Sequence, residues 1–303
     1  MKFIVIFLLL FSSVCNAELP KRIELIVPYG PGGASDQAAR HFQTWMNSKQ
    51  YSVAIVNKPG ANGTIAMNDL AQSAKDGSVI SFSAAGVIAL AEERANKKLA
   101  VPLTISGITV HAYITHPNSN YQTFASLEKG LKAGNEDIMI GWFAVGNMTI
   151  LNQMHKRLKL EKEPLFVPFK TSTETAQTVI GKHIPLAIVP MAVAKPLIED
   201  GKLKLITAIS PSNYKLPKGM NNILQRFPDW KHQDGFIVAL PLGVSEETEK
   251  RWTTILQEYF SQKETDKFYE DLYLARATFG KRAAEELINN AEDALKKYEV
   301  QIK

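Results

Sequence analysis

The stretch PYGPGGASDQAAR, residues 28–40, follows the apolar run IELIV at 23–27 and leads into a helical spacing of apolar residues. Three glycines and two prolines fall within residues 28–33. A short apolar strand, a glycine turn and an amphipathic helix form the repeating unit of a parallel α/β sheet. Ala38, Ala39, Phe42, Trp45 and Met46 share one helical face, and Ser35 and Asp36 are the candidate N-caps. Glycine has no Cβ, so a ligand can approach the backbone closely. The start of a helix offers unpaired N–H groups and a positive dipole end, which together seat an anion. The design recurs at VAIVN (53–57), the loop KPGANG (58–63) and a helix over 64–74.

Further strands are expected at 79–83, 109–115, 137–142, 165–168, 184–190, 203–210 and 236–241, with helical patterns between them and long helices at 246–262 and 281–300. The alternation predicts an α/β protein of two lobes, each a mostly parallel sheet flanked by helices. Two turn-rich joints, HPNSNY at 116–121 and SPSNY at 210–214, bracket a middle lobe. The expected division is a leader over 1–17, a first lobe from 18–117 and 212–303, and a second lobe from 118–211.

Lys2, the apolar run 3–11 and the small residues leading to Ala17 read as a secretory signal peptide, too short for a mature membrane span. The single cysteine, Cys15, leaves with it. The competing reading is lipoprotein processing before Cys15. Removing Lys2 lowers the formal net charge from +5 to +4, and the basic residues are dispersed, which argues against nucleic acid as a partner. The six histidines have no metal-ligand spacing, and HExxH and GxSxG are absent. No metal, cofactor or catalytic residue is expected.

The middle lobe offers two more helix starts, at Gly146 and Asn147 after the strand ending in Trp142, and at Lys170-Thr-Ser-Thr-Glu174 after 165–168. Asn147 is a candidate cap, and Thr171 with Glu174 fits a capping box. Neither glycine loop ends in Gly-Lys-Ser/Thr. The GxGxxG spacing counted from Gly30 reaches Ser35, so nucleotides are disfavoured and a carboxylate fits better. Plainer readings stand beside each residue: Asp36 as a pure cap, Arg40 as an internal ion-pair partner, and Lys170 as a surface lysine.

IVPYGPGGASDQAAR resembles the first motif of the substrate-binding receptors of tripartite tricarboxylate transporters, the Bug family, and VNKPGANGTIA (56–66) resembles the second. Asp76-Gly77, VPFK at 167–170 and Gly201-Lys-Leu203 are weaker matches. The resemblance implies a monomeric periplasmic receptor with a type II-like two-lobed fold. Its lobes close over a small organic carboxylate, and the loaded form is passed to permease subunits in the inner membrane. Carried over by position, the first lobe binds through Tyr29, Gly30, Gly32, Gly33, Ala34, Ser35, Asp36, Gly60, Asn62, Gly63, Ala84 and Ala85. The second binds through Gly146, Asn147, Thr149, Lys170, Thr171, Ser172 and Thr173. Where the family has a Gly/Ser/Thr-rich loop this chain reads GWFAVG at 141–146, and IPLAIVPM at 184–191 lacks the family's acidic residues. The far end of the ligand is therefore expected to be less charged than a tricarboxylate, unless Trp142 and Phe143 are core residues. A secreted enzyme on the same scaffold, and a receptor that signals to a membrane sensor, are the alternative readings.

Overall fold

A computed structural model describes residues 19–212, 214–230 and 234–297. The expected leader with Cys15, His232 and the last three residues of the expected 281–300 helix lie outside this range. Strands β1 (Arg22–Val27), β2 (Ser52–Asn57), β3 (Val79–Ala84) and β4 (Ala100–Thr109) belong to a first sheet. The chain then builds a second sheet from β5 (His111–Thr115), β6 (Met139–Trp142), β7 (Leu165–Pro168), β8 (Leu186–Pro190) and β9 (Lys204–Ile209). It returns to the first with β10 (Gly235–Pro241) and β11 (Leu274–Ala275). The orders are β11-β4-β10-β3-β1-β2 and β7-β6-β8-β5-β9.

Helices α1 (Ala34–Ser48), α2 (Thr64–Gln72) and α3 (Ala85–Ala95) each follow a strand of the first sheet. Helices α4 (Phe124–Lys132), α5 (Val145–Leu158), α6 (Ser172–Ile180) and α7 (Met191–Glu199) serve the second. The C-terminal helices α8 (Glu246–Phe260), α9 (Lys263–Asp271) and α10 (Lys281–Lys297) complete the first lobe, α10 packing on α3 and β4.

Each sheet carries an antiparallel strand where the chain arrives from the other: β5 runs against β8 and β9, and β10 against β3 and β4. Only Val110 separates β4 from β5, so the strand leaves one sheet and enters the other without turning. The expected single strand at 109–115 is thus the end of β4 plus β5. The crossing lies at Val110 rather than in the 116–121 turn, and β5 belongs to the second sheet. The turn residues after β5 resemble a joint, whereas the real crossing is an unbroken apolar run. The return is also displaced. Ile223, Phe227 and Trp230 pack in the second lobe's core beside Tyr113 and Leu127, so that core takes in residues beyond the expected boundary at 211. Strand β4 was not anticipated because Pro102 and Gly107 interrupt its pattern, although all of it is buried.

Four of the five residues read as one face of α1 are buried, and Trp45 is partly buried against the same core. Ala38, Ala39, Phe42 and Met46 of α1 are fully buried. Phe42 meets the ring of Tyr259 edge-on at 4.9 Å, and Trp252 Nε1–H donates to the Gly77 carbonyl at 3.0 Å. No helix among the described residues is long and apolar enough to cross a membrane.

In the second lobe Glu128 on α4 accepts from Arg226 Nε at 3.0 Å and Nη2 at 2.9 Å, and from Lys132 Nζ at 2.8 Å. The Arg226 hydrogen bonds, outweighing partial burial and assisted by Lys132, hold its carboxyl at about 2 against an ordinary 4.5. A lowered folded pKa gives stability that is present above 4.5 and lost as the pH falls toward about 2. Glu128→Gln is expected to flatten that acid limb, read as denaturant midpoint against pH, while a limb identical to that of the parent refutes the assignment.

Candidate functional site

The glycine loop enters α1 with Gly33, in extended backbone, at the N-cap, and no side chain caps it. The expectation of Ser35 or Asp36 as cap is corrected: both lie inside the first turn. The first backbone bond runs from Gln37 N–H to the Gly33 carbonyl at 2.9 Å, which leaves the amides of Ala34, Ser35 and Asp36 beyond the helical ladder. Asp36 instead ties the loop together from behind. Its carboxylate accepts from Gly32 N–H (2.9 Å), Asn57 Nδ2 (2.9 Å) and Arg40 Nε (2.8 Å). Asn57 also donates to the Tyr29 carbonyl at 3.0 Å, joining the ends of β1 and β2. Burial alone would raise the Asp36 carboxyl, but the bonds from Arg40, Gly32 and Asn57 outweigh it and hold it below the ordinary value. Asp36 is 1 % exposed, and Arg40 makes the internal ion pair allowed for it in the sequence. Gly32 sits at φ +84°, a conformation that suits glycine.

The second lobe brings two helix starts to this loop. In α6 the Thr171 hydroxyl accepts from Glu174 N–H at 3.0 Å, and the Glu174 carboxylate returns to Lys170 N–H at 3.1 Å. The expected Thr171/Glu174 cap is present, with its return bond shifted one residue back. In α5 the N-cap is Ala144, not Asn147. Asn147, fully buried, reaches back through Oδ1 to the amides of Ala144 (3.3 Å) and Phe143 (3.4 Å).

The lobes touch across these starts. A Cβ on Gly30 would lie 2.5 Å from Thr171 Cγ2, and one on Gly33 3.4 Å from Ser172 Oγ. One on Gly86 would lie 3.1 Å from Val145 Cγ1, and Tyr29 meets Phe143 edge-on at 5.8 Å. Between them lies a cavity of about 20 Å³, close to the room that a single water requires. Tyr29, Gly30, Gly33, Ala34 and Ser35 form its first-lobe wall, and Thr171, Ser172, Phe143 and Ala144 the opposite one. Thr109, His111, Asp234 and Phe236, from the two crossings, close its base.

Seven residues read from the sequence as ligand-binding, Tyr29, Gly30, Gly33, Ala34, Ser35, Thr171 and Ser172, therefore share one cavity. Gly32 faces Thr173 at the rim. Gly146 and Thr149 line an outer groove of about 790 Å³, and Asp234 lines both that groove and the cavity. The rest stand elsewhere. Gly63 packs on Val87 and Pro28, Gly60 faces Ile65, and Asn62 lies in the same 3₁₀ turn as Gly63. Ala84 and Ala85 bury their side chains at the junction of β3 and α3, and Lys170 is exposed.

The sequence reading missed Thr109, His111, Asp234 and Phe236. His111 is 2 % exposed, with Nε2 3.4 Å from Asp234 Oδ2, and Nε2 and the Thr109 hydroxyl have no hydrogen-bond partner among the described residues. Thr109 N–H donates to the Asp234 carbonyl at 2.6 Å, fastening the two crossings together. Burial, and then the charge of Asp234, push the Tyr29 hydroxyl well above its usual range, so it stays a neutral donor. Trp142 is buried in the second core, while Phe143 lines the cavity.

The family model described as "Tripartite tricarboxylate transporter family receptor" matches residues 38–218. Protein BugT of Bordetella pertussis (strain Tohama I) is 24% identical over 230 residues, covering 73% of this chain and 71% of that protein. The solved structure of the periplasmic binding protein BugD superposes with a TM-score of 0.81 at 17% identity, covering 94% of this chain and 100% of that one. MatC from Rhodopseudomonas palustris, solved with bound malate, gives a TM-score of 0.78 at 17% identity, covering 92% and 97%. The two-lobed α/β fold is shared with both.

Proposed function

Because the chain belongs to the tripartite tricarboxylate transporter receptor family, we propose that it captures a small organic carboxylate in the periplasm and presents it, chemically unchanged, to membrane permease subunits. The observation that carries this reading is the uncapped start of α1, whose free amides border the cavity where the second lobe closes on the glycine loop. Removing a carboxylate from water is costly unless several donors replace the lost hydration, and a helix start provides them. The malate held by MatC is of this chemical class.

The cavity is too small for an organic acid, so the ligand enters with the lobes apart and they shut on it. Val110, the single residue between β4 and β5, is a connection about which they bend. Malate and its relatives need no bond broken for such a cycle, and no catalytic group is assigned. A thermal-shift screen of the mature protein against mono-, di- and tricarboxylates and amino acids tests the proposal. Ligand at a hundred times its Kd adds about 2.7 kcal/mol, a rise of about 4–5 °C for a chain of this size. A flat response across the panel, or turnover of a bound acid, refutes it.

A further inference from the structure

Resting on the reading that the lobes close on a ligand, we propose that Tyr273 is the pivot of that closure: a positioning residue of the first lobe whose ring stays seated in the second lobe's core while the cleft opens and shuts. Tyr273 lies between α9 and β11, and Leu272 and Leu274 on either side of it bury in the first lobe's core. Its own side chain goes the other way. It is 5 % exposed and packs in one cluster with Ala112, Val189, Met191 and Ala194, all of the second lobe. Its backbone is left-handed at φ +55°, a conformation that costs any residue with a Cβ and that the surrounding fold must hold in place. The insertion is reciprocal, since Ala192 of α7 packs against the first lobe's core.

The covalent crossing runs through the same point. Val110 N–H donates to the Tyr273 carbonyl at 3.1 Å, and the Val110 carbonyl accepts from Met191 N–H, at the start of α7, at 2.8 Å. One residue is therefore bonded to the first lobe through its amide and to the second through its carbonyl. Lys195 Nζ stands 5.7 Å from the centre of the Tyr273 ring, a cation–π contact from the same helix. In a rotation, atoms on the axis stay still and those far from it sweep an arc. The contact of Gly30 with Thr171 must part to admit a ligand. A ring buried in the opposite core, by contrast, leaves an unfilled hole if it withdraws. Both demands are met when the axis passes through Val110 and Tyr273 and the glycine loop lies off it.

The test begins with hydrogen exchange on the parental mature protein, with and without malate, or the acid of the screening panel that raises the melting point most where malate does not. The amides of Val110 and Met191 are expected to be equally protected in both states, while those of 30–36 and 171–174 slow on adding the acid. Loss of protection at Val110 and Met191 in the free protein shows that the ring leaves its seat and overturns the proposal. Tyr273→Ala removes the knob. Free of ligand, it is expected to give a larger radius of gyration in X-ray scattering than the parent. It should also bind the same acid about three- to tenfold more weakly, because a smaller fraction of molecules holds the closing geometry. Tyr273→Phe keeps the ring and should match the parent in both, and Tyr273→Leu replaces the alanine variant if its melt shows it unfolded. Parental scattering and affinity in a folded variant without the ring overturns the pivot and leaves carboxylate capture standing. If no acid of the panel binds, carboxylate capture fails, and the scattering of the free variants decides the pivot by itself.

Discussion

Gly30→Val is expected to weaken ligand binding by about five- to a hundredfold while leaving the unliganded protein folded. A Cβ at this position points across the cleft to within 2.5 Å of Thr171 Cγ2, and valine adds two methyl groups beyond it. The overlap is with the opposite lobe, so it arises when the lobes shut and not in the loop itself. Forcing extra methyl groups into a packed contact costs about 1–3 kcal/mol, and about 2.7 kcal/mol corresponds to a hundredfold in Kd. Gly32 is a less clean probe, because φ +84° strains any other residue whether the lobes are open or shut. At Gly33 the added Cβ makes an ordinary 3.4 Å contact with Ser172 Oγ, so alanine there should bind nearly normally. Calorimetry with the best ligand of the screen reads the difference. A Gly30→Val protein that binds like the parent would show that the glycine loop is only a turn and that closure does not bring it to Thr171.

The second large effect concerns stability. Asp36→Ala is expected to cost roughly 2–4 kcal/mol, read from denaturant unfolding, because it strands the Gly32 amide, Asn57 and Arg40 at once. Arg40 is half exposed and water replaces part of its contact, which keeps the figure below that of a fully buried pair. The loss should be pH-dependent. The folded carboxyl lies below its ordinary value of 3.8, so its contribution is present above that pH and fades as the pH falls through the folded value. The gap between parent and variant should close on acidification. A constant gap would mean that packing, not charge, does the tying. Ligand affinity should fall as well, since the loop that supplies the α1 amides loses its brace.

The four-residue base of the cavity marks where the sequence falls silent. Thr109, His111, Asp234 and Phe236 come from two crossings 125 residues apart in the chain, between His111 and Phe236, and none sits in a local motif. His111 is one of six scattered histidines, and Asp234 precedes an apolar strand that shows no reason for an acid there. By contrast, Thr171 with Glu174 was legible, because a cap is satisfied within four residues. Asn147 was legible only as a polar residue near a helix start. Its action through Phe143, Ala144 and His111 depends on which amides fold back toward it.

Local sequence determined what local physics controls. Apolar periodicity set the strands and the buried face of α1, glycine and proline set the turn before it, and their repetition set the α/β class and the motifs of the receptor family. Tertiary structure alone decided which helix starts meet, where the chain changes lobes, and which side chains the crossings bury together. Those outcomes depend on contacts between residues far apart in the chain, to which neither propensity nor spacing refers. An aspartate before a strand becomes a cleft carboxylate only when a glycine on another lobe leaves room for it.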